Sequence, residues 1–318
     1  MKQNSLQTLK QIKNYISMVS PFNNNEDIPV FPYVIKKLIA FLFIYFASGI
    51  IGEIFVISGL MIAGYDPING IMPGLNALTL IKYYGFFIHL CCAIMYCKLI
   101  EKRNLNSIGF NKSIGSFGLG GIIAIILLTI IIGICTFTNT LTYDGISRNI
   151  NYTFIITLFG GLIIQSTAEE VLCRGFLMQS LLKKVPVWIT IFISSTAFAF
   201  PHFSSLFESE FRFAVLGVIN LYLISIVFSL LILCKSNIWI SCGLHCMWNF
   251  LLYGILGLTL SGSNTTCSGP LSFKVNGSNL INGGKYGIEA SLITTIILVI
   301  LVIIICFIWN SKKNKEIN

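Results

Sequence analysis

TFIITLFGGLIIQSTAEEVLCRGFLMQSLL, residues 153–182, is the stretch whose reading decides the fold. As a helix its thirty residues would rise about 45 Å, more than the roughly 30 Å of a bilayer's hydrocarbon core. Its only charged side chains are Glu169, Glu170 and Arg174, packed into the middle of an otherwise apolar run. The stretch therefore reads as a membrane span that carries ionisable groups where they cost most.

The rest of the chain agrees. Of 318 residues, 55% are hydrophobic and 10% charged, and mean hydropathy is +0.83, which excludes an ordinary soluble domain. Further apolar runs cover 34–62, 77–100, 117–138, 187–203, 213–234, 237–259 and 287–309. The fold class is thus all-α, a polytopic membrane protein of about eight transmembrane helices.

Basic residues orient the spans, because cytoplasmic segments keep positive charge. With the N-terminus inside, fifteen of the 21 Lys and Arg fall on the cytoplasmic side, Lys112 among them. Only Arg148, Arg212, Lys274 and Lys285 fall outside, while Lys82 sits near an outer end and Arg174 within a span. This predicts both termini in the cytoplasm of a multi-pass cell-membrane protein. The net charge of +9 is then a topology signal plus attraction to an anionic leaflet, and nucleic acid is not an expected partner.

The organisation follows from these spans. Residues 1–33 form a cytoplasmic segment, in which Leu6, Leu9, Ile12 and Ile16 recur at helical spacing behind Ser5 and predict a short surface helix. Residues 34–150 hold the first three membrane helices and 151–260 the next four. Residues 261–286 read as a flexible extracellular loop, rich in Gly, Ser and Asn, with Cys267 and two N-x-S/T sequons. Residues 287–318 supply the last span and a basic tail. The ten cysteines fall mostly in or beside spans, so they predict small core fillers rather than a disulfide framework.

Helical geometry sorts the charges of residues 153–182. Glu170 and Arg174 are four apart on one face, whereas Glu169 points about 100° away. Arg174 can neutralise Glu170, which leaves Glu169 free. Read alone, the cluster is as well explained by a buried ion pair pinning two helices. The histidines shift that balance. FAFPHF (198–203) and GLHCMWNF (243–250) place His202 and His245 in two other spans, with Asn249 one turn beyond His245. Counted from the Lys183-Lys184 turn, Glu169 and His202 lie at nearly equal depth, so they can meet. His245 lies ten residues past Lys235, which predicts a common chamber below the cytoplasmic surface. Pro201 should end or kink its helix at His202 and admit water. His89 reads instead as a hydrogen-bonding helix contact, and Glu53 as an interface or outer-leaflet group.

Glu169-Glu170-x-x-x-Arg174, Phe198-x-x-x-His202 and His245-x-x-x-Asn249, in this order on separate membrane helices, resemble the CAAX protease and bacteriocin-processing family of intramembrane endopeptidases, also called the Abi family. The resemblance covers residues 169–249. It implies that Glu169, oriented with His202, activates water, that His245 and Asn249 stabilise the oxyanion, and that Glu170, Arg174 and Phe198 support them. A carboxylate in a low-dielectric chamber holds its proton more tightly, which suits a base that must return it.

Zinc on Glu169, His202 and His245 is the competing use of the same residues, although HExxH is absent and Asn249 is a poor ligand. The implied substrate is a membrane-associated peptide or protein cut near the cytoplasmic leaflet, as in pheromone or bacteriocin maturation or self-immunity. The Ile-, Asn- and Lys-rich composition fits an AT-rich bacterial host. A non-catalytic immunity or partner-binding protein is the second reading of the scaffold. A proton-coupled transporter is the third, disfavoured by the lack of repeat symmetry.

Overall fold

A computed structural model describes residues 2–111, 113–262 and 269–317. Lys112, Cys267 and the first sequon, Asn264-Thr265-Thr266, lie outside the described residues. The chain is an all-α bundle, and among the described residues seven helices are long and apolar enough to cross a membrane. They are α2 (Val30–Ile62), α3 (Leu75–Leu99), α4 (Gly115–Phe137), α5 (Tyr152–Leu181), α6 (Val187–Phe207), α7 (Phe211–Lys235) and the apolar part of α9 (Leu292–Ile317). Before them, α1 (Lys2–Val19) exposes Leu9, Ile12 and Ile16, as the helical spacing of those residues predicts.

The run expected as a full span over 237–259 is shorter. It forms α8, eleven α-helical residues (Trp239–Asn249) followed by a π-helical turn (Phe250–Ile255). That rises about 25 Å, less than the hydrocarbon core. Lipid does not have to solvate it, because most of α8 is buried among its neighbours. Glycines make this possible. A Cβ on Gly120 of α4 would strike Ile240 O of α8, and one on Gly243 of α8 would strike Phe117 O of α4, so the two backbones touch.

The segment expected to be a flexible outer loop is largely built. Residues 271–275 form β2, antiparallel to β1 (Leu141–Ile146) with a bulge between Tyr143 and Gly145. Beyond it, Asn279 and Asn282 organise turns by accepting from nearby backbone amides. The chain then runs in against α7, where Asn220 Nδ2 donates to Glu289 O and Ser291 O. The last helix consequently begins at Leu292 rather than 287.

The basic end of the bundle is closed by a buried polar cluster. Lys37 pairs with Glu101, Arg103 Nη1 donates to Ser180 Oγ at 2.9 Å, and Tyr33 Oη donates to Ser180 O at 2.8 Å. Lys36, also buried, donates to Asn23 Oδ1 and Asn25 O. Each buried cation thus has partners that offset its desolvation. The nine cysteines among the described residues are free, and Cys97, Cys135, Cys173, Cys242 and Cys246 are buried as core fillers.

Candidate active site

Residues 153–182 form a single helix whose winding changes where its charges lie. It is α-helical to Glu170, π-helical over Val171–Met178, and α-helical again over Gln179–Leu181. In α8 the same change follows Asn249 directly. Such π segments recur at functional sites because they re-aim side chains without ending the helix.

Glu170 and Arg174 form the expected ion pair, Nη1 to Oε1 at 2.8 Å, with both side chains fully buried. Arg174 also donates to Ser225 Oγ at 2.6 Å, and Ser225 Oγ donates on to Ser195 Oγ. The guanidinium lies over the Phe198 ring at 4.4 Å and the Phe228 ring at 5.1 Å. Glu170 Oε1 is in turn 3.2 Å from His245 Nδ1. A carboxylate only accepts, so this contact assigns the Nδ1 proton and aims Nε2 elsewhere. The His245 ring is held flat against Phe228 and edge-on to Phe198. Phe198 therefore supports both Arg174 and His245.

Glu169 faces the other way, as its angular offset predicts. Its Oε1 accepts from Gln165 Nε2 at 2.7 Å, and its buried Oε2 has no hydrogen-bond partner and lies 3.7 Å from His245 Nε2. Gln165 Oε1 accepts in turn from Asn249 Nδ2 at 3.2 Å and from Ser166 Oγ. Gln165 thus links Glu169 to Asn249. Sequence reasoning missed it, although its i−4 spacing from Glu169 on one helix face was the available signal.

Glu169, His202, His245 and Asn249 all line one cavity of about 490 Å³, together with Gln165, Phe198 and Glu289. The expected pairing of Glu169 with His202 is not made. His202 Nδ1 is 3.1 Å from Phe198 O, and no hydrogen bond or ion pair joins it to Glu169. The cause is local: Pro201 turns Phe200–His202 into a 3₁₀ segment before the helix resumes, which ties the ring back to its own chain. His245 is the imidazole facing Glu169.

The cavity does not lie where the chamber was expected. Its walls include Ser204 and Ser205 from the last turns of α6, and Glu208, Ser261 and Gly262 from connections, all at the end opposite the basic loops. Below His245, towards the basic end, Val171, Phe176, Leu177, Met178, Cys242 and Leu244 are fully buried. Counting residues from Lys235 gave the depth of His245 but not the direction in which the space around it opens.

Glu289 is a further carboxylate in the wall, from the start of what the sequence reads as the last span. Oε1 accepts from Trp248 Nε1 at 3.1 Å and Oε2 from the Ser261 amide at 2.6 Å. Burial pushes its carboxyl above the usual range, against those two hydrogen bonds and the nearby His202 and His245. His89, by contrast, makes no hydrogen bond through its buried Nδ1; its ring packs tilted against Phe86 and edge-on with Tyr45. Glu53 is exposed.

Among the described residues no three His, Cys, Asp or Glu side chains are grouped so as to hold a metal ion. The Nδ1 contacts of His245 with Glu170 and of His202 with Phe198 O leave both Nε2 atoms free, as in metal-ligating histidines, but Glu169, His202 and His245 are not drawn together as a zinc site in this arrangement. No chemical step below is routed through a metal.

Residues 150–251 match the family model described as type II CAAX prenyl endopeptidase Rce1-like. This segment holds every residue of the three motifs. The chain carries an Rce1-like CAAX-protease domain. No curated protein and no solved structure matches the chain. The Rce1-like domain implies protease activity, the hydrolysis of peptide bonds in a membrane-embedded setting. In this chain the domain spans α5 to α8, and α3, α9 and the 286–291 segment complete its cavity from outside the matched residues.

Proposed function

We propose that this protein is an intramembrane endopeptidase that cleaves a membrane-associated peptide or protein with a water activated by Glu169. The observation that supports this most is the Glu169 carboxylate itself. One oxygen is fixed by Gln165, and the other is unpartnered, next to His245 in a cavity large enough for an extended peptide. A base must have a free lone pair at a fixed place, and this one has.

In the proposed reaction Glu169 Oε2 takes a proton from water, the oxygen attacks the scissile carbonyl carbon, and the carbonyl oxygen gains charge. Asn249 has one Nδ2 hydrogen on Gln165 and a second to offer that oxyanion. His245 joins it through Nε2 when both its nitrogens carry protons, with Glu170 offsetting the charge at Nδ1. Collapse of the tetrahedral species passes the proton from Glu169 to the leaving amine. His202 Nε2 lies within the same walls and is proposed to orient the water or the substrate rather than to pair with Glu169. Glu170, Arg174 and Phe198 are positioning residues.

The chain is proposed to lie in a bacterial cell membrane with both termini in the cytoplasm, and pheromone- or bacteriocin-type peptides are substrates of the right kind. The lack of repeat symmetry in the sequence disfavours the transporter reading. Peptidomics of cells carrying wild type, Glu169→Ala or His245→Ala tests the proposal. Peptides released by the wild type should vanish in both variants. Identical peptide profiles at matched protein levels would refute it, and retention of the phenotype by Glu169→Ala would favour a non-catalytic binding role.

A further inference from the structure

Three observations fix the side from which this cavity is filled. The first is the position of its mouth: Ser204 and Glu208, both exposed, and the half-buried Ser205 and Ser261 come from the last turns of α6 and from connections at the end of the bundle that lacks the basic loops. The second is the floor. Between His245 and the basic end, the Glu170–Arg174 pair and the side chains of Phe176 and Met178 are fully buried, and the Lys37, Glu101 and Arg103 cluster closes the bundle beneath them. The third is charge. Basic residues gather on the cytoplasmic face of membrane proteins, and here they flank the closed end.

Taken with the protease reading, on which the substrate part rests, these observations name a substrate class. We infer that the site is served from the outer, non-cytoplasmic side, and that its substrate is an extended peptide segment whose scissile bond emerges on that face. The rim suits such a segment. Lys82 and Glu208 bring both signs of charge, and the serine hydroxyls bring donors and acceptors, which match the backbone of a peptide arriving from water better than a lipid tail. The folded segment 269–291 reinforces this. It runs in beside the cavity with Glu289 clamped between Trp248 and the Ser261 amide, so the outer loop is a wall of the site rather than a tether.

Two measurements keep the side of access separate from the chemistry. Ser204→Cys and Glu208→Cys, at the mouth, and Asn106→Cys, at the basic end, are each treated in intact cells with a charged, membrane-impermeant maleimide, against the labelling of the parent chain. The mouth positions should label before the cells are opened, and Asn106→Cys only afterwards. The reverse pattern would overturn the inference whether or not the protein is a protease. In parallel, a mixture of internally quenched randomised hexapeptides is added outside sealed right-side-out vesicles, inverted vesicles and detergent-solubilised protein. Cleavage in right-side-out vesicles and detergent, lost in inverted ones, is the expected result. Cleavage in inverted vesicles would overturn the inference and leave the protease reading standing. No cleavage even in detergent would count against the protease reading, and the labelling would still decide the side.

Discussion

Replacing one partner of the Glu170–Arg174 pair should destabilise the protein far more than replacing both. The two groups meet at 2.8 Å, neither is exposed, and Arg174 is further tied to Ser225 and stacked over two phenylalanines. Glu170→Ala leaves a guanidinium in the bundle core with only the Ser225 hydroxyl and carbonyl and two rings around it, and Arg174→Ala leaves a carboxylate beside His245. Stranding a buried charge in this way costs about 3–5 kcal/mol. At about 1.4 kcal/mol per factor of ten, the folded-to-unfolded ratio falls by roughly a hundred- to several-thousand-fold. The double variant Glu170→Leu/Arg174→Met removes both charges while keeping volume, and should recover most of the loss. It should still be inactive, because His245 Nδ1 has lost its acceptor. Unfolding of the purified protein in mixed micelles, followed by tryptophan fluorescence, measures all four corners of the cycle. Single variants as stable as wild type, or a double variant weaker than either single, would refute the reasoning.

Other expectations follow from single contacts. Asn249→Ala should lower kcat by about 10²–10³ with little change in KM, as removing one oxyanion donor does elsewhere, and a steady-state comparison checks the split. Gly243→Ala forces a methyl into the Phe117 carbonyl and should cost about 1–3 kcal/mol through overpacking, whereas Gly133→Ala, with nothing near it, should not lower the melting temperature. The raised Glu289 carboxyl makes stability depend on pH with a defined sign. A group that binds its proton more tightly when folded gives stability that is fully present below the ordinary carboxylate range and lost as pH rises through the raised value. Melting curves of wild type should show that loss and those of Glu289→Gln should not; parallel pH profiles would contradict it.

The sequence made the scaffold legible because lipid imposes one rule on every span. Apolar runs of bilayer length located α2 to α7 to within a few residues and α9 less closely, and i, i+4 spacing set Glu170 on Arg174 and turned Glu169 away. What it hid depended on packing between segments far apart in the chain. The short α8 read as a full span from its hydropathy, and the close approach at Gly120 of α4 and its own Gly243 that buries it was not visible there. His202 appeared to face Glu169 because depth was counted along ideal helices, and the 3₁₀ turn at Pro201 spoils that count. Glu289 sat at the start of the run read as the last span, and nothing local announced that the helix would begin later and that Trp248 and Ser261 would hold it in the cavity wall. The direction of the cavity was hidden for the same reason, since residue counts give depth but not which end is filled.

The measurement that bears most directly on the central claim is peptide hydrolysis by purified protein in nanodiscs, wild type against Glu169→Gln, on a peptide identified by the cellular comparison. Removing the base while keeping its shape should slow cleavage by about 10²–10⁴ with an unchanged melting temperature. A Glu169→Gln protein that folds normally and cleaves at the wild-type rate would contradict the account.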